Sequence, residues 1–151
     1  MFQRILVPVD LSEKSLTAVD AAYEFAAQSG AEVILLHVIE TIEYVEFDDL
    51  KSFYQQLEAK ARTRMTDICK RFVSKKLKVD QALVYGHRAQ EIVDYANANA
   101  VDLIMMASHR IDSDRRSWSS ISYAVAALAD CPVLLVKPVA SARRSKSRKT
   151  A

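Results

Sequence analysis

The stretch from Asp102 to Val136 constrains the chain most, because it reads as an apolar run, a polar loop, an amphipathic helix and a second apolar run. Leu103, Ile104, Met105 and Met106 form an apolar segment too short for a helix, which predicts a strand covered on both faces. It stops at Ala107-Ser108-His109-Arg110. From Trp118 onward the apolar residues fall at Trp118, Ile121, Val125 and Leu128, spacings of three and four that place them along one side of a helix. Pro132 ends that helix and opens the last strand, Val133 to Val136, because proline supplies no helical N–H and suits a first strand position. Two strands joined by a helical crossover make a right-handed parallel βαβ unit, and the loop after its first strand is where a ligand belongs.

The preceding hundred or so residues repeat the same grammar. Ile5 to Val9 is a short buried strand ending at Asp10, with Ser12 or Ser15 available to cap a helix whose Leu16, Val19, Ala22, Tyr23 and Ala26 share one face. Ser29-Gly30 closes that helix. Val33 to Val38 is a second buried strand. Thr41 to Asp49 has no clear period and carries four acids, so it reads as a loop. It leads into a long helix that turns Leu50, Phe53, Leu57, Ala61, Met65, Ile68 and Phe72 inward. Val79 to Tyr85 is a weaker strand suited to an edge, Gly86 breaks it, and Ala89, Ile92, Val93 and Ala96 mark a short helix. Strict β-α alternation implies an α/β fold, a single five-stranded parallel sheet with helices on both faces. If the chain winds outward through strands two and three and then returns, strand four lies beside strand one. A crevice then opens between their C-terminal ends, lined by Pro8-Val9-Asp10 and Ala107-Ser108-His109-Arg110.

Length and charge complete the outline. The 151 residues suit one domain over 1–139, followed by a basic tail over 140–151. The net charge of +2 conceals an asymmetry: residues 137–151 hold six basic side chains and no acid, which leaves fifteen basic against nineteen acidic, or −4, in the rest. The tail is rich in Ser, Ala and charge and is expected to be disordered, with salt-sensitive attraction to anionic surfaces. It lacks interleaved aromatics, so sequence-specific nucleic-acid binding is not expected. No run approaches the length of a membrane span and the N-terminus lacks the features of a secretory signal, so a cytoplasmic protein is expected. Cys69 and Cys131 have no metal-ligand spacing and read as core fillers, and His37, His87 and His109 are too scattered for a metal site.

Two glycines, Gly30 and Gly86, build neither a GxGxxG nor a Walker A loop, which excludes the usual dinucleotide and P-loop sites. Ser117, Ser119 and Ser120 precede the last helix, where they either cap it or hold an anion with its free N–H groups. Asp10 follows a buried strand at the switch point, so it either bonds ribose hydroxyls or caps the first helix. Asp10, Ser108 and His109 do not amount to a triad, because a nucleophile needs its base brought from elsewhere and a separate oxyanion hole.

ILVPVD followed by a Ser-containing turn, the LLHV strand, Gly86 leading to Ile92, DLIMMASHR and CPVLLVK together resemble the universal stress proteins, over residues 2–137. The resemblance implies a sheet of order 3-2-1-4-5 and a regulatory protein that binds ATP or AMP, with magnesium where a triphosphate requires it and at most slow ATP hydrolysis. In nucleotide-binding members the loop after strand four carries G-x-x-G and then G-(S/T). Ala107 and Arg110 stand at the first two glycines, and Ser119-Ser120 at the final pair with one residue fewer between. Short ASHR-type loops resemble a subgroup that still holds nucleotide, with Arg110 offering charge where glycine backbone contact is lost. By the same resemblance the nucleotide site comprises Pro8, Val9, Asp10, Val38, Met106, Ala107, Ser108, His109, Arg110, Ser119, Ser120 and Ile121. Asp10 would contact ribose and adenine, and the Val38 backbone the adenine edge. The apolar last strand, Val133 to Val136, would leave an open sheet edge, so a homodimer through it is expected. The alternative function is a dimeric interaction module that docks an unknown protein partner and binds no nucleotide.

Overall fold

The computed structural model describes residues 1–108 and 121–137. Five strands, β1 Arg4–Pro8, β2 Glu32–Glu40, β3 Val79–Gly86, β4 Leu103–Ala107 and β5 Val133–Val136, form one sheet of order 3-2-1-4-5. Every adjacent pair is parallel. Between them run α1 Leu16–Ser29, α2 Lys51–Ser74, α3 Arg88–Ala98 and α4 Ile121–Leu128. This is the architecture that strict alternation of strands and helices implied.

Successive strand residues point to opposite faces, and that period of two builds two cores. Ile5, Val7, Val33, Leu35, Leu103 and Met105 pack on the α1 and α2 side, where they meet Ala22, Met65 and Phe72. Leu6, Ile34, Leu36, Ile104 and Met106 pack on the other, against Ile92, Val93 and Ala96 of α3 and Val125 of α4. Ile5, Leu6 and Val7 are all 0% exposed, so a central strand here has no polar side and reads as an unbroken apolar run. The edge strand β3 is less covered: Asp80 and Gln81 are exposed and its other residues are half-buried. Cys69 is buried among the α1–α2 core and Cys131 packs half-buried beside the other. Burial raises both thiols, reinforced by Asp80 at Cys69 and by Asp102 and Asp130 at Cys131, which keeps them protonated and inert.

Three local features depart from the sequence reading. Neither Ser12 nor Ser15 caps α1 with its side chain, because a short 3₁₀ turn at Glu13–Ser15 precedes the helix and the Ser15 hydroxyl donates to the Ser12 carbonyl at 2.8 Å. Along α2 the buried stripe is Tyr54, Ala61, Met65, Cys69 and Phe72, whereas Phe53 and Leu57 face solvent. Tyr54 takes the inward place because its ring stacks on Phe47 at 5.0 Å and its hydroxyl accepts the Ile42 amide at 2.9 Å. On α4, Val125 and Ser122 are buried but Leu128 is exposed, since α3 covers only one flank of that helix and β5 is the last strand beneath it. The expected helix start at Trp118 and the basic tail lie outside the described residues. At the other end of α1 the reading was right: Gly30 adopts φ 75° and its amide donates to Ala26 O at 2.8 Å.

Candidate functional site

A parallel sheet brings every strand's C-terminal end to one rim, and the 3-2-1-4-5 order places the ends of β1 and β4 side by side there. Beyond them lies a cavity of about 290 Å³, lined by Pro8, Val9, Asp10, Ser15, Leu36, Val38, Arg88, Ile92, Met106, Ala107, Ile121 and Ser122. Its volume is near the lower end of small-ligand sites, roughly 300 Å³. Leu36, Val38, Ile92 and Met106 are buried and give it an apolar floor. Asp10 and Arg88 are the two charged groups in the lining.

The backbone leaving β1 is tied down before it reaches Asp10. The Val9 amide donates to Leu36 O and the His37 Nδ1–H donates to Val9 O, both at 2.8 Å, which prolongs the β1–β2 pairing one residue past the strand. Asp10 Oδ1 then accepts the Ser12 amide at 2.9 Å and the Ser12 hydroxyl at 2.6 Å, an Asx turn. Leu11, between them, is held at φ 68°, a left-handed conformation costly for a leucine. Burial pushes the Asp10 carboxyl upward, but the Ser12 hydroxyl and amide, then the Ser15 hydroxyl and the Arg88 charge, outweigh it and hold the group below the ordinary carboxylate range. Asp10 is therefore ionised at neutral pH. It closes the turn that precedes the 3₁₀ segment, and it does not cap α1 itself, whose N-cap position is Ser15. An ionised carboxylate has about four acceptor positions, so the turn does not exhaust it.

Arg88 opens α3, and among the described residues its guanidinium makes one loose ion pair, 3.8 Å from Glu40. A flat apolar floor with a carboxylate and a planar cation at its edge is a chemistry that receives a heterocycle bearing hydroxyls. Among the described residues no group of three His, Cys, Asp or Glu side chains gathers to hold a metal. Nor is any described helix long and apolar enough to cross a membrane.

Of the residues singled out from sequence, Pro8, Val9, Asp10, Val38, Met106, Ala107 and Ile121 line this one cavity. Ser108 does not; it is half-buried just past β4, with its amide donating to Val136 O at 2.8 Å. His109, Arg110, Ser119 and Ser120 lie outside the described residues. Sequence reasoning missed Ser15, Leu36, Arg88, Ile92 and Ser122. One of these carried a usable signal: Leu36 is two residues before Val38 and so shares its face.

The model of the universal stress protein family matches residues 1–137. The chain belongs to the universal stress protein family. Among its relatives in that family, universal stress protein MJ0577 of Methanocaldococcus jannaschii is 30% identical over 91% of this chain and 96% of its own. The solved structure of MJ0577 superposes with a TM-score of 0.78 at 31% identity, covering 92% of this chain and 98% of that one. Universal stress protein YxiE of Bacillus subtilis is 27% identical over 91% of this chain and all of its own. A universal stress protein crystallised in complex with cAMP superposes at TM-score 0.69 and 21% identity, covering 89% of this chain and 96% of that one, a likeness of fold.

Proposed function

We propose that this universal stress protein is a regulatory protein that binds an adenine nucleotide, ATP or AMP, in the crevice between β1 and β4. The observation that carries the reading is an ionised Asp10 at the edge of an apolar floor made by Leu36, Val38, Ile92 and Met106. In this reading Asp10 accepts hydrogen bonds from the ribose, the Val38 backbone meets the adenine edge, and Ser119, Ser120 and Arg110 serve the phosphates. That a universal stress protein of this fold was crystallised in complex with cAMP supports an adenine nucleotide as the ligand. Magnesium would enter with a triphosphate. We read the role as binding, with at most slow ATP hydrolysis, because among the described residues the cavity lining holds a single carboxylate and no histidine.

Calorimetric titration with ATP and AMP tests the proposal. Asp10→Ala removes a charge-assisted hydrogen bond worth roughly 1.5–3 kcal/mol, so affinity should fall about tenfold to a hundredfold, with circular dichroism confirming the fold. Ser120→Ala should cost less, since backbone donors remain, and Ser119→Gly should strengthen ATP binding if side-chain bulk there limits phosphate approach. No heat and no melting shift at millimolar ATP, in the natural chain and in Ser119→Gly alike, would replace this reading with that of a docking module.

We also read β5 as a homodimer edge in the cytoplasm-type soluble assembly expected from sequence. Leu134 is 47% and Leu135 39% exposed on this outermost strand, and pairing across a two-fold axis would cover them. Sedimentation at tens of micromolar should give a dimer, and Leu135→Lys should shift it toward monomer; an unchanged mass in that variant sinks the assignment.

A further inference from the structure

Among the described residues, the largest run of exposed apolar side chains outside the crevice lies in the connection from β2 to α2 and the start of α2. Tyr44 is fully solvent-exposed and held at φ 65°, while Ile42, Val45, Phe47 and Phe53 are each more than two-fifths exposed. The segment is not loose: Tyr54 binds the Ile42 amide through its hydroxyl and stacks on Phe47, and Phe47 meets Tyr85 edge-on at 5.6 Å. Interleaved with these side chains are Glu40, Glu43, Glu46, Asp48 and Asp49, with no Lys or Arg before Lys51. Glu43 faces His87 at 3.6 Å and Glu40 faces Arg88 at 3.8 Å, but Glu46, Asp48 and Asp49 have no ion pair among the described residues. An anchored ridge of aromatic rings and unmatched carboxylates calls for cations that lie flat on rings, which is arginine chemistry. The same chemistry operates elsewhere in this molecule, where Arg71 pairs with Asp20 while lying 3.9 Å over the Tyr23 ring.

We propose that the arginine-rich residues 138–151 of the same chain dock on this acidic, aromatic ridge. Those residues carry Arg143, Arg144, Lys146, Arg148 and Lys149 and no acid, against five acids on the ridge. They follow Lys137 directly after β5, at the rim where β2 also ends and the ridge begins. β5 and β2 are separated by β4 and β1, so the gap is three strand spacings, about 14 Å. Fourteen residues of extended chain reach about 45 Å, enough to span it without a second copy. The contact is held by charge and ring stacking, so it needs no folded structure in the tail itself. It does not depend on the nucleotide reading.

Amide NMR tests it, on the full chain and on a full-length variant carrying R143Q, R144Q, K146Q, R148Q and K149Q. Raising salt from about 20 mM to about 500 mM shortens the screening length from roughly 20 Å to roughly 4 Å. In the natural chain this should move the Tyr44, Val45 and Phe47 amides; in the variant they should stay in place. A synthetic peptide of residues 138–151, added to the variant at low salt, should return those amides saturably to their natural positions and lose at least about tenfold in affinity at high salt. The combination E46Q, D48N and D49N, all at exposed positions, should abolish the response of the natural chain. An equal salt response in both chains overturns the proposal, as does a peptide that perturbs another surface or none. Shifts that grow with protein concentration would place a second copy's tail on the ridge and overturn the same-chain contact.

Discussion

The two rims of the sheet use polar groups in opposite ways. At the N-terminal rim a hollow of about 620 Å³ is lined by Arg4, Ser29, Gly30, Glu32, Lys78 and Asp102 among others, larger than the crevice at the opposite rim. Its polar groups are spent on one another. Asp102 accepts the amides of Gln3 at 2.8 Å and Arg4 at 3.0 Å, and its own amide donates to Arg4 O at 3.1 Å. The Arg4 guanidinium bonds Glu32 on β2 at 3.2 Å and Asn99 O after α3 at 2.7 Å. One arginine and one aspartate thus tie β1 to both of its neighbours. At the C-terminal rim the Asp10 bonds to Ser12 are local, two residues away, and among the described residues Arg88 pairs only with the distant Glu40. Volume alone would favour the N-terminal rim for a ligand; unspent hydrogen-bonding capacity beside an apolar floor favours the crevice of the proposed site.

The largest effect should come from breaking the N-terminal rim. Asp102→Ala removes two charge-assisted acceptors from strand-end amides, and we expect a loss of about 2–4 kcal/mol, moderated by partial exposure. That corresponds to a drop of roughly 5–10 °C in melting temperature for a chain of this size. Asp102→Asn keeps one acceptor and should lose about half as much. Any nucleotide affinity at the far rim should be unchanged in both, and a variant that melts normally would show that the rim does not hold the sheet.

The same contrast explains which parts were legible in the sequence. β1, β2 and β4 are covered on both faces, so each announces itself as an unbroken apolar run, and the β-α alternation then restricts the topology. The position of the crevice follows from that order alone. Asp10 was legible because it stands directly after such a run, whereas Arg88 was not, since nothing local distinguishes a helix-opening arginine over a cavity from one facing solvent. Phe53 and Leu57 misled for a different reason: helical spacing marks a stripe but not which of two adjacent stripes wins. Tyr54 won through a hydroxyl bond to Ile42 and an aromatic stack that no periodicity records.

A smaller effect should appear where β3 ends. The Tyr85 hydroxyl donates to Glu58 on α2 at 2.5 Å, joining the edge strand to the helix that covers it. Burial first, and then the Glu58 acceptor and its charge, push the Tyr85 hydroxyl up to about 12 from an ordinary value near 10. The folded chain therefore keeps a proton that the unfolded chain releases, so this contribution is intact below pH 10 and is lost as pH rises toward 12. Urea unfolding across that window should show stability falling in the natural chain and a flatter profile in Tyr85→Phe. Parallel profiles would mean that the hydroxyl contributes nothing to holding β3 against α2.

The smallest effect on stability should come from Asp10→Asn, although it alters the one carboxylate among the described residues of the crevice. Asparagine keeps an Oδ1 that accepts the Ser12 amide and hydroxyl, so the turn into α1 should survive and the cost near neutral pH should stay under about 0.5 kcal/mol. The pH dependence carries more information. Because the folded carboxyl lies below its ordinary value, its contribution is present above that value and disappears as pH falls through the acid range, where the unfolded chain takes up the proton first. The asparagine variant has no such group to titrate, so its acid unfolding curve should be shallower and should meet the natural one at the lowest pH. Nucleotide affinity should still drop about tenfold, since the lost charge weakens the bond to a ribose hydroxyl while the neutral oxygen retains part of it. A group that costs little to the fold and much to the ligand is a binding group. If Asp10→Asn instead lowers the melting temperature as far as Asp102→Ala does, the C-terminal rim holds the sheet as the N-terminal one does, and the contrast between the two rims disappears.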